Sequence, residues 1–152
     1  MIRLEHISEE NWVEVARLSV SEEQQAFLDR PLGILARGYV YRACNARVFA
    51  IANGDEMVGV ALVRDLDEEP ACYDLQQFMI DRRFQNRGYG TQALRLILAA
   101  LRGEGKYGCV EVCVNKKDDS ALHLYRKTGF VDTGYIDDNA PDCLNLMYFF
   151  SK

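Results

Sequence analysis

The pattern of apolar and polar positions divides this chain into short strands and amphipathic helices. Alternation with a period of two predicts strands near residues 2–6 and 110–115. Apolar runs at 48–52 and 57–63 are joined through Asn53-Gly54, and an Asn-Gly pair between such runs predicts a β-hairpin. Further strands are predicted at 75–80, 130–136 and 143–150. The pattern therefore predicts about seven strands.

Apolar residues recur at helical spacing between these strands. One such segment predicts a helix from Gly88 to about Arg102. Its apolar residues are Leu94, Ile97, Leu98 and Leu101. Shorter helical patterns begin near Ser8, Ser21, Leu32 and Asp118. The pattern that begins at Leu32 runs to about Ala43, with apolar positions at Leu32, Leu35, Ala36, Tyr39 and Val40.

The middle of the chain contains segments with the strand period and a segment with the helix period. A strand, a long helix and another strand follow one another over residues 75–115. This order predicts a βαβ unit with a parallel strand pair and a right-handed crossover. No linker or internal repeat divides the chain. Residues 1–152 are therefore interpreted as one α+β domain with a mixed sheet.

The composition limits the classes of partner. The chain has 152 residues, with 18 Lys and Arg against 23 Asp and Glu, which gives a net charge of −5. Nucleic acids and anionic membranes favour a basic surface, so neither is predicted as a partner. The acidic excess is compatible with a cationic substrate. No apolar run approaches the ~20 residues that span a bilayer, and no signal-peptide pattern is present, so a cytoplasmic location is expected.

The five cysteines are Cys44, Cys72, Cys109, Cys113 and Cys143. Their odd number and the absence of a C-x-x-C pair disfavour a disulfide framework. Only the two histidines, His6 and His123, could join Cys109 and Cys113 as soft ligands. The cysteines are interpreted as small core residues, and no metal site is predicted.

The segment Gln85-Asn86-Arg87-Gly88-Tyr89-Gly90 lies between a predicted strand and the long predicted helix. The first N–H groups of a helix have no intrahelical partner, and the helix dipole favours an anion there. Gly88 and Gly90 have no Cβ, so an anion can approach the backbone closely, and Thr91 adds a hydroxyl donor. The predicted ligand is a pyrophosphate group. The alternative is a surface turn with solvated arginines.

A second pattern follows this loop, and its residues are Asn115, Ala121, Leu124-Tyr125 and Gly129-Phe130. Together with Gln85-x-x-Gly88-x-Gly90, it resembles the two main signatures of the GNAT superfamily of acetyl-CoA-dependent N-acetyltransferases. The element order βααβββαβαββ also resembles that family over the whole chain. The resemblance implies a mixed, mostly antiparallel seven-stranded sheet with a central βαβ unit and helices on both faces.

The resemblance also implies where acetyl-CoA would bind. In this family the strand before the loop separates from its parallel neighbour and pairs with the pantetheine arm, while the diphosphate lies on the loop. The implied cofactor-binding residues are Phe78, Met79, Ile80, Gln85, Asn86, Arg87, Gly88, Tyr89, Gly90, Thr91, Asn115, Ala121 and Tyr125. The reaction implied is direct attack of the acceptor amine in a ternary complex, without a metal.

Tyr125 corresponds to the family tyrosine whose hydroxyl faces the cofactor sulfur. A tyrosine with an ordinary pKa near ~10 stays protonated at neutral pH and can donate a proton to the departing thiolate. The resemblance therefore implies that Tyr125 is the general acid. The alternative is a core tyrosine whose hydroxyl bonds a carbonyl. Asn115 could equally cap the following helix.

The sequence does not identify the general base. Some members of the family carry a carboxylate on the strand before the loop, but Gln76 and Gln77 occupy its central positions here and cannot take a proton. Asp74 and Glu23 are the candidate carboxylates. A water relay, or a substrate that arrives as the neutral amine, would need neither of them.

Residues 18–28 resemble the corresponding stretch of bacterial diamine, spermidine and spermine acetyltransferases within the superfamily. Acidic residues in this segment and in the last loop would attract a polycation. They are Glu22, Glu23, Asp137, Asp138 and Asp142. A polyamine is therefore the predicted acceptor, although Gln76 stands where that subgroup is expected to carry an acid. The alternative is that these carboxylates are ordinary solvated charges.

Other functions stay open at this point. The acceptor could be an aminoglycoside, an amino acid or a protein N-terminus, and a degenerate domain would bind acyl-CoA without turnover. A dinucleotide-binding oxidoreductase would use Gly88-x-Gly90-x-x-Ala93, but too many residues separate the strand from the first glycine. Homodimerisation through an exposed strand edge is a further prediction.

Overall fold

The computed structural model describes residues 1–151. The strands are β1 (Ile2–His6), β2 (Arg47–Asn53), β3 (Glu56–Leu66), β4 (Cys72–Ile80), β5 (Cys109–Asn115), β6 (Val131–Asp132) and β7 (Cys143–Phe149). They form one sheet of seven strands in the order β1-β2-β3-β4-β5-β7-β6. Neighbouring strands are antiparallel except β4 and β5, which are parallel. The predicted mixed, mostly antiparallel sheet is confirmed.

Helices connect the strands and cover both faces of the sheet. The α-helices are α1 (Trp12–Ala16), α2 (Glu22–Gln25), α3 (Pro31–Val40), α4 (Tyr89–Glu104) and α5 (Asp119–Thr128). Three α-helices, one more than the family order implies, and a short 3-10 helix (Arg42–Cys44) lie between β1 and β2. Helix α4 joins the parallel strands β4 and β5, so the predicted βαβ unit is confirmed. Among residues 1–151, no helix has the length and apolar character needed to cross a membrane.

Each face of the sheet has its own apolar core. On one face, α4 and α5 pack against the strands in a cluster that includes Ile97 and Val112. On the other face, α1 and α3 contribute Val15 and Ile34, which pack with strand residues such as Leu62. The side chains of a strand alternate between the two faces, so consecutive strand residues serve different cores.

Helix α3 buries a different face from the predicted one. Its predicted apolar stripe is largely exposed, with Leu32 at 59% and Tyr39 at 68% exposure. Ile34 is buried instead, and a Cβ on Gly38 would lie 2.6 Å from Val48 Cγ2. Because glycine has no Cβ, the helix backbone can approach β2 this closely. The contact with β2, rather than the local period, therefore decides which face is buried.

Helix α1 begins later than predicted. Ser8 opens a turn, and the first helical residue is Trp12. The N–H of Ser8 donates to Asn11 Oδ1 at 2.8 Å, which closes this turn before the helix begins. Ser8 is therefore not the N-cap of α1, because the bonds it makes hold a separate turn.

The sixth strand is much shorter than the predicted strand at 130–136. Only Val131–Asp132 pairs with β7. Further along, the side chain of Asn145 donates to the carbonyl oxygen of Tyr135 at 2.9 Å. A side chain therefore replaces the backbone ladder at this point, and residues 133–142 form a loop.

The parallel strands β4 and β5 separate soon after they begin to pair. Their ladder contains two residue pairs, Tyr73 with Val110 and Asp74 with Glu111. On the other side of β4, the register with β3 shifts at Gln76, which has no partner and forms a bulge. The strands therefore diverge towards their carboxyl ends and leave a cleft between them.

Asp65 joins three side chains at the end of β3. Its carboxylate accepts hydrogen bonds from Lys106 Nζ at 2.8 Å and from Asn45 Nδ2 at 3.2 Å, and it pairs with Arg47 at 3.3 Å. Burial by itself would raise the pKa of Asp65, but the hydrogen bonds from Lys106 and Asn45 and the charge of Arg47 lower it below its ordinary value.

We expect Asp65→Asn to lower the free energy of unfolding at neutral pH by about 2 to 3 kcal/mol, because charge-assisted hydrogen bonds to a buried carboxylate are lost. The folded-state pKa is lowered, so this stabilisation is present above the unfolded value of about 3.9 and is lost as the pH falls through the folded value. Urea unfolding of both proteins from about pH 7 to about pH 3 measures the difference. A difference in unfolding free energy that did not shrink in acid would contradict the stabilising role assigned to the Asp65 carboxylate.

Candidate functional site

A cavity of about 320 Å³ lies in the cleft between β4 and β5, which is a size typical of small-molecule sites. Most of the predicted cofactor-binding residues line it. They are Phe78, Met79, Ile80, Gln85, Asn86, Gly88, Tyr89, Gly90, Thr91, Asn115, Ala121 and Tyr125. The fold therefore brings residues from β4, the glycine-rich loop, α4, β5 and α5 to one cavity.

The glycine-rich loop and the first turn of α4 contribute residues to the wall of this cavity. Asn86 and Gly88 have positive φ angles of 63° and 82°, which turn the chain from β4 into α4. The first helical hydrogen bond of α4 runs from the N–H of Gln92 to the carbonyl of Gly88 at 3.2 Å. The N–H groups of residues 89–91 therefore precede the helical ladder. The first turn contains no acidic residue, so the helix dipole favours an anion here.

Gly90 keeps the space between β4 and α5 open. A Cβ at this position would lie 3.7 Å from both Ile80 Cγ1 and Leu124 Cδ2. These are ordinary contacts, so an alanine would fit the protein itself. It would nevertheless occupy space between the two walls of the cavity.

The arginines of the loop have protein partners. Arg83 Nε donates to Asp81 Oδ1 at 2.8 Å. The Arg87 guanidinium lies over the ring of Phe84, 5.6 Å from its centroid. Arg87 is not among the residues that line the cavity. Its contact with a cofactor therefore stays a prediction.

Gln85 connects the loop to the N-terminal helical segment. Its Nε2 donates to the carbonyl of Ile80 and to Gln24 Oε1, both at 2.8 Å. Gln24 Nε2 donates in return to Gln85 Oε1 at 3.3 Å. Gln24 also lines the cavity, a role that the sequence did not reveal. The only signal was a capping box with Ser21, which indicates a helix start and says nothing about a site.

Tyr125 is buried in the wall of the cavity, with 7% of its surface exposed. Its ring packs edge-on against Phe130 at a centroid distance of 5.2 Å. Among residues 1–151, its hydroxyl forms no hydrogen bond, unlike that of an ordinary core tyrosine. Burial raises the pKa of Tyr125, and the charge of Asp118 raises it further. Tyr125 is therefore protonated at neutral pH, and its hydroxyl can serve as a donor.

Asp118 and Asn115 both line the cavity and both organise the start of α5. Asp118 caps the helix by accepting from the N–H of Ala121 at 3.3 Å. Asn115 Oδ1 accepts from the N–H of Lys117 at 2.9 Å, so Asn115 holds the preceding turn and does not cap the helix. Burial raises the pKa of Asp118, against the opposing effect of the Ala121 N–H. Asp118 was interpreted only as a helix-start residue, and its place in the cavity was missed.

The predicted carboxylates lie outside the cavity lining. Glu22 and Glu23 are exposed on α2. Asp74 Oδ2 accepts from Arg64 Nε at 2.9 Å in a pair whose side chains are 13% and 23% exposed. Burial raises the pKa of Asp74 although Arg64 opposes this. Asp74 is therefore engaged with Arg64, and the sequence could not show this pairing.

The five cysteines differ in exposure, and Cys44 and Cys143 are partly buried. Cys72 and Cys109 are buried with Met147, as interpreted from the sequence. Cys113 is exposed and lines the cavity, so its interpretation as a core residue was wrong. The neighbouring valines of β5 occupy the face covered by α4 and α5, which directs Cys113 to the opposite face. Within residues 1–151, no three His, Cys, Asp or Glu side chains are grouped so that they could hold a metal ion.

Comparison with known proteins identifies a matching family and relatives in sequence. A family model described as the acetyltransferase (GNAT) family matches residues 4–130. The N-alpha-acetyltransferase RimI of Mycobacterium tuberculosis is 35% identical over 83 residues, which are 54% of this chain and 50% of that protein. The spermine/spermidine N(1)-acetyltransferase of Bacillus subtilis is 23% identical over 141 residues, which are 91% of this chain and 93% of that protein. The matched region thus spans about half the length of the RimI protein.

The fold also resembles solved structures. Spermidine N-acetyltransferase from Vibrio cholerae, solved in complex with CoA and spermine, has a TM-score of 0.76 and 16% identity, and the match covers 99% of this chain and 96% of that one. At this level of identity the likeness shows a shared fold.

Proposed function

This chain belongs to the acetyltransferase (GNAT) family and is an acyltransferase, and from this premise we propose that it moves the acetyl group of acetyl-CoA to a primary amine. One observation carries the proposal: a single cavity joins the N-terminus of α4 to the side chain of Tyr125. The reaction needs an anion site for the diphosphate and a proton donor for the leaving sulfur. The cavity offers both.

The proposed orientation of acetyl-CoA follows from the residues that line the cavity. The N–H groups of residues 89–91, which lack helical partners, would hold the diphosphate. The pantetheine arm would extend along residues 78–80 of β4, where the cavity borders the strand. Asn115 and Ala121 would form the facing wall. The acetyl group would then lie near Tyr125.

The chemistry proposed is direct attack within a ternary complex. Holding amine and thioester side by side makes the acyl transfer effectively unimolecular. A backbone N–H near Met79 would stabilise the oxyanion of the tetrahedral intermediate. Tyr125 would protonate the sulfur as the C–S bond breaks, because its raised pKa keeps the phenol protonated.

A small cationic amine such as a polyamine is the proposed acceptor. The spermine/spermidine acetyltransferase relative aligns over 91% of this chain. The charge of −5 and the acidic residues of α2 and of the loop before β7 would attract a polycation. These residues are Glu22, Glu23, Asp137, Asp138 and Asp142. They lie outside the cavity lining, so they would guide the amine electrostatically instead of holding its reacting nitrogen.

A protein N-terminus is the second candidate acceptor. The relative with the higher identity, 35%, is an N-alpha-acetyltransferase, although its match covers 54% of this chain. An α-amino group has a pKa near about 8, so a larger fraction arrives neutral at physiological pH than for an alkyl amine. A peptide acceptor would therefore depend less on a general base.

A thiol-release assay with acetyl-CoA tests the proposal against a panel of acceptors. The panel contains spermine, spermidine, putrescine, an aminoglycoside, lysine and a peptide with a free α-amine. We expect turnover with the polyamines that falls as the salt concentration rises, because screening weakens the attraction. Turnover confined to the peptide would favour the second candidate. Stabilisation by acetyl-CoA without turnover of any amine would indicate a non-catalytic acyl-CoA-binding module.

A further inference from the structure

Gln76 lies in the wall of the cleft and carries a buried hydrogen-bond acceptor that has no partner. It is the bulged residue of β4, and it lines the cavity. Within residues 1–151, its Oε1 is buried and accepts no hydrogen bond. The neighbouring Gln77 is engaged, because its Oε1 accepts from the N–H of Asp29 at 3.2 Å. Buried acceptors in folded proteins nearly always have a donor, so a ligand in the cavity is expected to provide one. An ammonium group has three N–H donors and no acceptor.

Glu111 lies near Gln76, at the point where β4 and β5 separate. The valines at 110, 112 and 114 pack with α4 and α5, so Glu111 and Cys113 face the opposite side of the sheet. Cys113 lines the cavity from that side. Glu111 pairs in register with Asp74, and Gln76 follows Asp74 by two residues, or about 7 Å along the strand. Glu111 itself does not line the cavity; the register places it beside the segment of β4 that carries Gln76, so a water molecule is needed to bridge the two side chains.

Glu111 differs from Asp74 in its hydrogen-bond and ion-pair partners. Asp74 is bound by Arg64, whereas no Lys or Arg among residues 1–151 forms an ion pair with Glu111. The thiol of Cys72 lies 3.6 Å from Glu111 Oε2 and can donate to it. The carboxylate of Glu111 thus retains lone pairs that can accept a further proton donor.

The surroundings of Glu111 favour its protonated form. Burial raises the pKa of Glu111, and the charges of Asp74 and Asp137 add to this, against the Cys72 hydrogen bond and the Arg64 charge. A carboxylate whose pKa lies closer to neutrality is a more effective base. The charged and titratable groups that face it are Asp74 and Cys72 on β4, Arg64 on β3, Cys109 and Cys113 on β5, and Asp137 in the loop before β7.

We propose that Gln76 Oε1 binds the ammonium group of the acceptor and that Glu111 takes one of its protons through a water molecule. This inference rests on the proposed acetyl transfer and identifies its missing base. The neutral amine then forms a C–N bond to the thioester carbon, and the C–S bond breaks. Tyr125 gives its proton to the sulfur and regains one from the acylated nitrogen. The proton on Glu111 passes to solvent, so each turnover releases one proton.

The pH dependence of kcat/KM tests Glu111 through Glu111→Gln. In the wild type we expect an acidic limb set by Glu111. In the variant the rate should follow the fraction of neutral amine and change about tenfold per pH unit up to the pKa of the amine. The loss should be about 10²-fold at neutral pH and should nearly vanish at high pH. Glu14→Gln is the matched control, since Glu14 is exposed on α1 outside the cavity lining.

Two results would overturn the inference while leaving acetyl transfer intact. One is a Glu111→Gln profile parallel to that of the wild type. The other is a variant whose kcat/KM equals that of the wild type at every pH. A wild-type protein that acetylates no amine would instead refute the proposed function itself. Acetyl-CoA should raise the melting temperature of both proteins equally, which shows that the variant is folded and binds the donor.

A second pair of variants removes one negative charge without altering Glu111. Asp137→Asn removes a charge that raises the pKa of Glu111, so the acidic limb should move to lower pH. Asp55→Asn makes the same change in charge at an exposed turn outside the cavity lining and should leave the limb in place. Equal shifts in both variants, or a shift in neither, would contradict the assignment of the limb to Glu111.

Gln76→Ala tests the positioning role separately. We expect the KM for the amine to rise about tenfold while the KM for acetyl-CoA stays unchanged, because only the ammonium loses a partner. A variant that raised the KM for acetyl-CoA alone would show that Oε1 binds the pantetheine arm, which would overturn this part of the inference.

Discussion

Replacing Tyr125 with phenylalanine should lower kcat about 10³-fold, or about 4 kcal/mol of transition-state stabilisation, with little change in the binding of acetyl-CoA. The variant removes one hydroxyl that has no hydrogen-bond partner among residues 1–151 and keeps the ring packed against Phe130. Stability should therefore change little. Steady-state kinetics with the best acceptor, and the melting temperature with and without acetyl-CoA, give the two quantities separately.

Tyr148→Phe is the matched control for this variant. Tyr148 belongs to the same aromatic cluster, with its ring centroid 5.4 Å from that of Phe130, but it does not line the cavity. It should keep full activity. A Tyr125→Phe variant with a kcat within about threefold of the wild type would rule out general-acid catalysis by this hydroxyl.

Replacing Asp81 with alanine should lower the free energy of unfolding by about 3 to 4 kcal/mol and weaken acetyl-CoA binding at the same time. Asp81 is 1% exposed and lies between β4 and the glycine-rich loop. Its carboxylate accepts from the N–H of Ser19 at 2.9 Å and from both the N–H and the Nε of Arg83 at 2.9 and 2.8 Å. It therefore fastens the loop to the segment before α2.

The stability that the Asp81 carboxylate contributes should decrease in acid. Burial alone would raise the pKa of Asp81, but the bonds from Arg83 and Ser19 outweigh it and lower the pKa below its ordinary value. The stabilisation is thus present above about pH 4 and is lost as the pH falls through the folded-state value. Chemical unfolding across this range, and calorimetric titration with acetyl-CoA at neutral pH, measure the two effects.

Asp132→Ala is the control for Asp81→Ala. Asp132 also pairs with an arginine, Arg126, at 2.8 Å, but its side chain is 48% exposed. Its removal should have a far smaller effect on stability and none on acetyl-CoA binding. If both variants lost the same stability, the burial of Asp81 would not explain its contribution.

The elements that the sequence predicted well are those whose signals are local. Helix α4 has an apolar face of regular period and begins directly after Gly88, and each feature lies within one segment. The face of α3 was predicted wrongly because it depends on the contact between Gly38 of α3 and Val48 of β2, which belong to different elements. Local period could not reveal that contact.

The candidate site was likewise predictable only where its signals are local. The motif residues mark the loop and Tyr125 without any knowledge of strand register. Glu111 was not predicted as a site residue, because nothing local connects it with the cleft. The parallel pairing of Glu111 with Asp74 and the bulge at Gln76 bring these residues together, and both are properties of the assembled sheet.

The central claim is acetyl transfer from acetyl-CoA to an amine within the cleft between β4 and β5. Mass spectrometry of spermidine after incubation with the protein and isotope-labelled acetyl-CoA tests it most directly. We predict a labelled acetyl group on a spermidine nitrogen, with one free CoA thiol formed for each acetyl group transferred. Free CoA with labelled acetate and unmodified amine, or no consumption of acetyl-CoA with any amine of the panel, would contradict it.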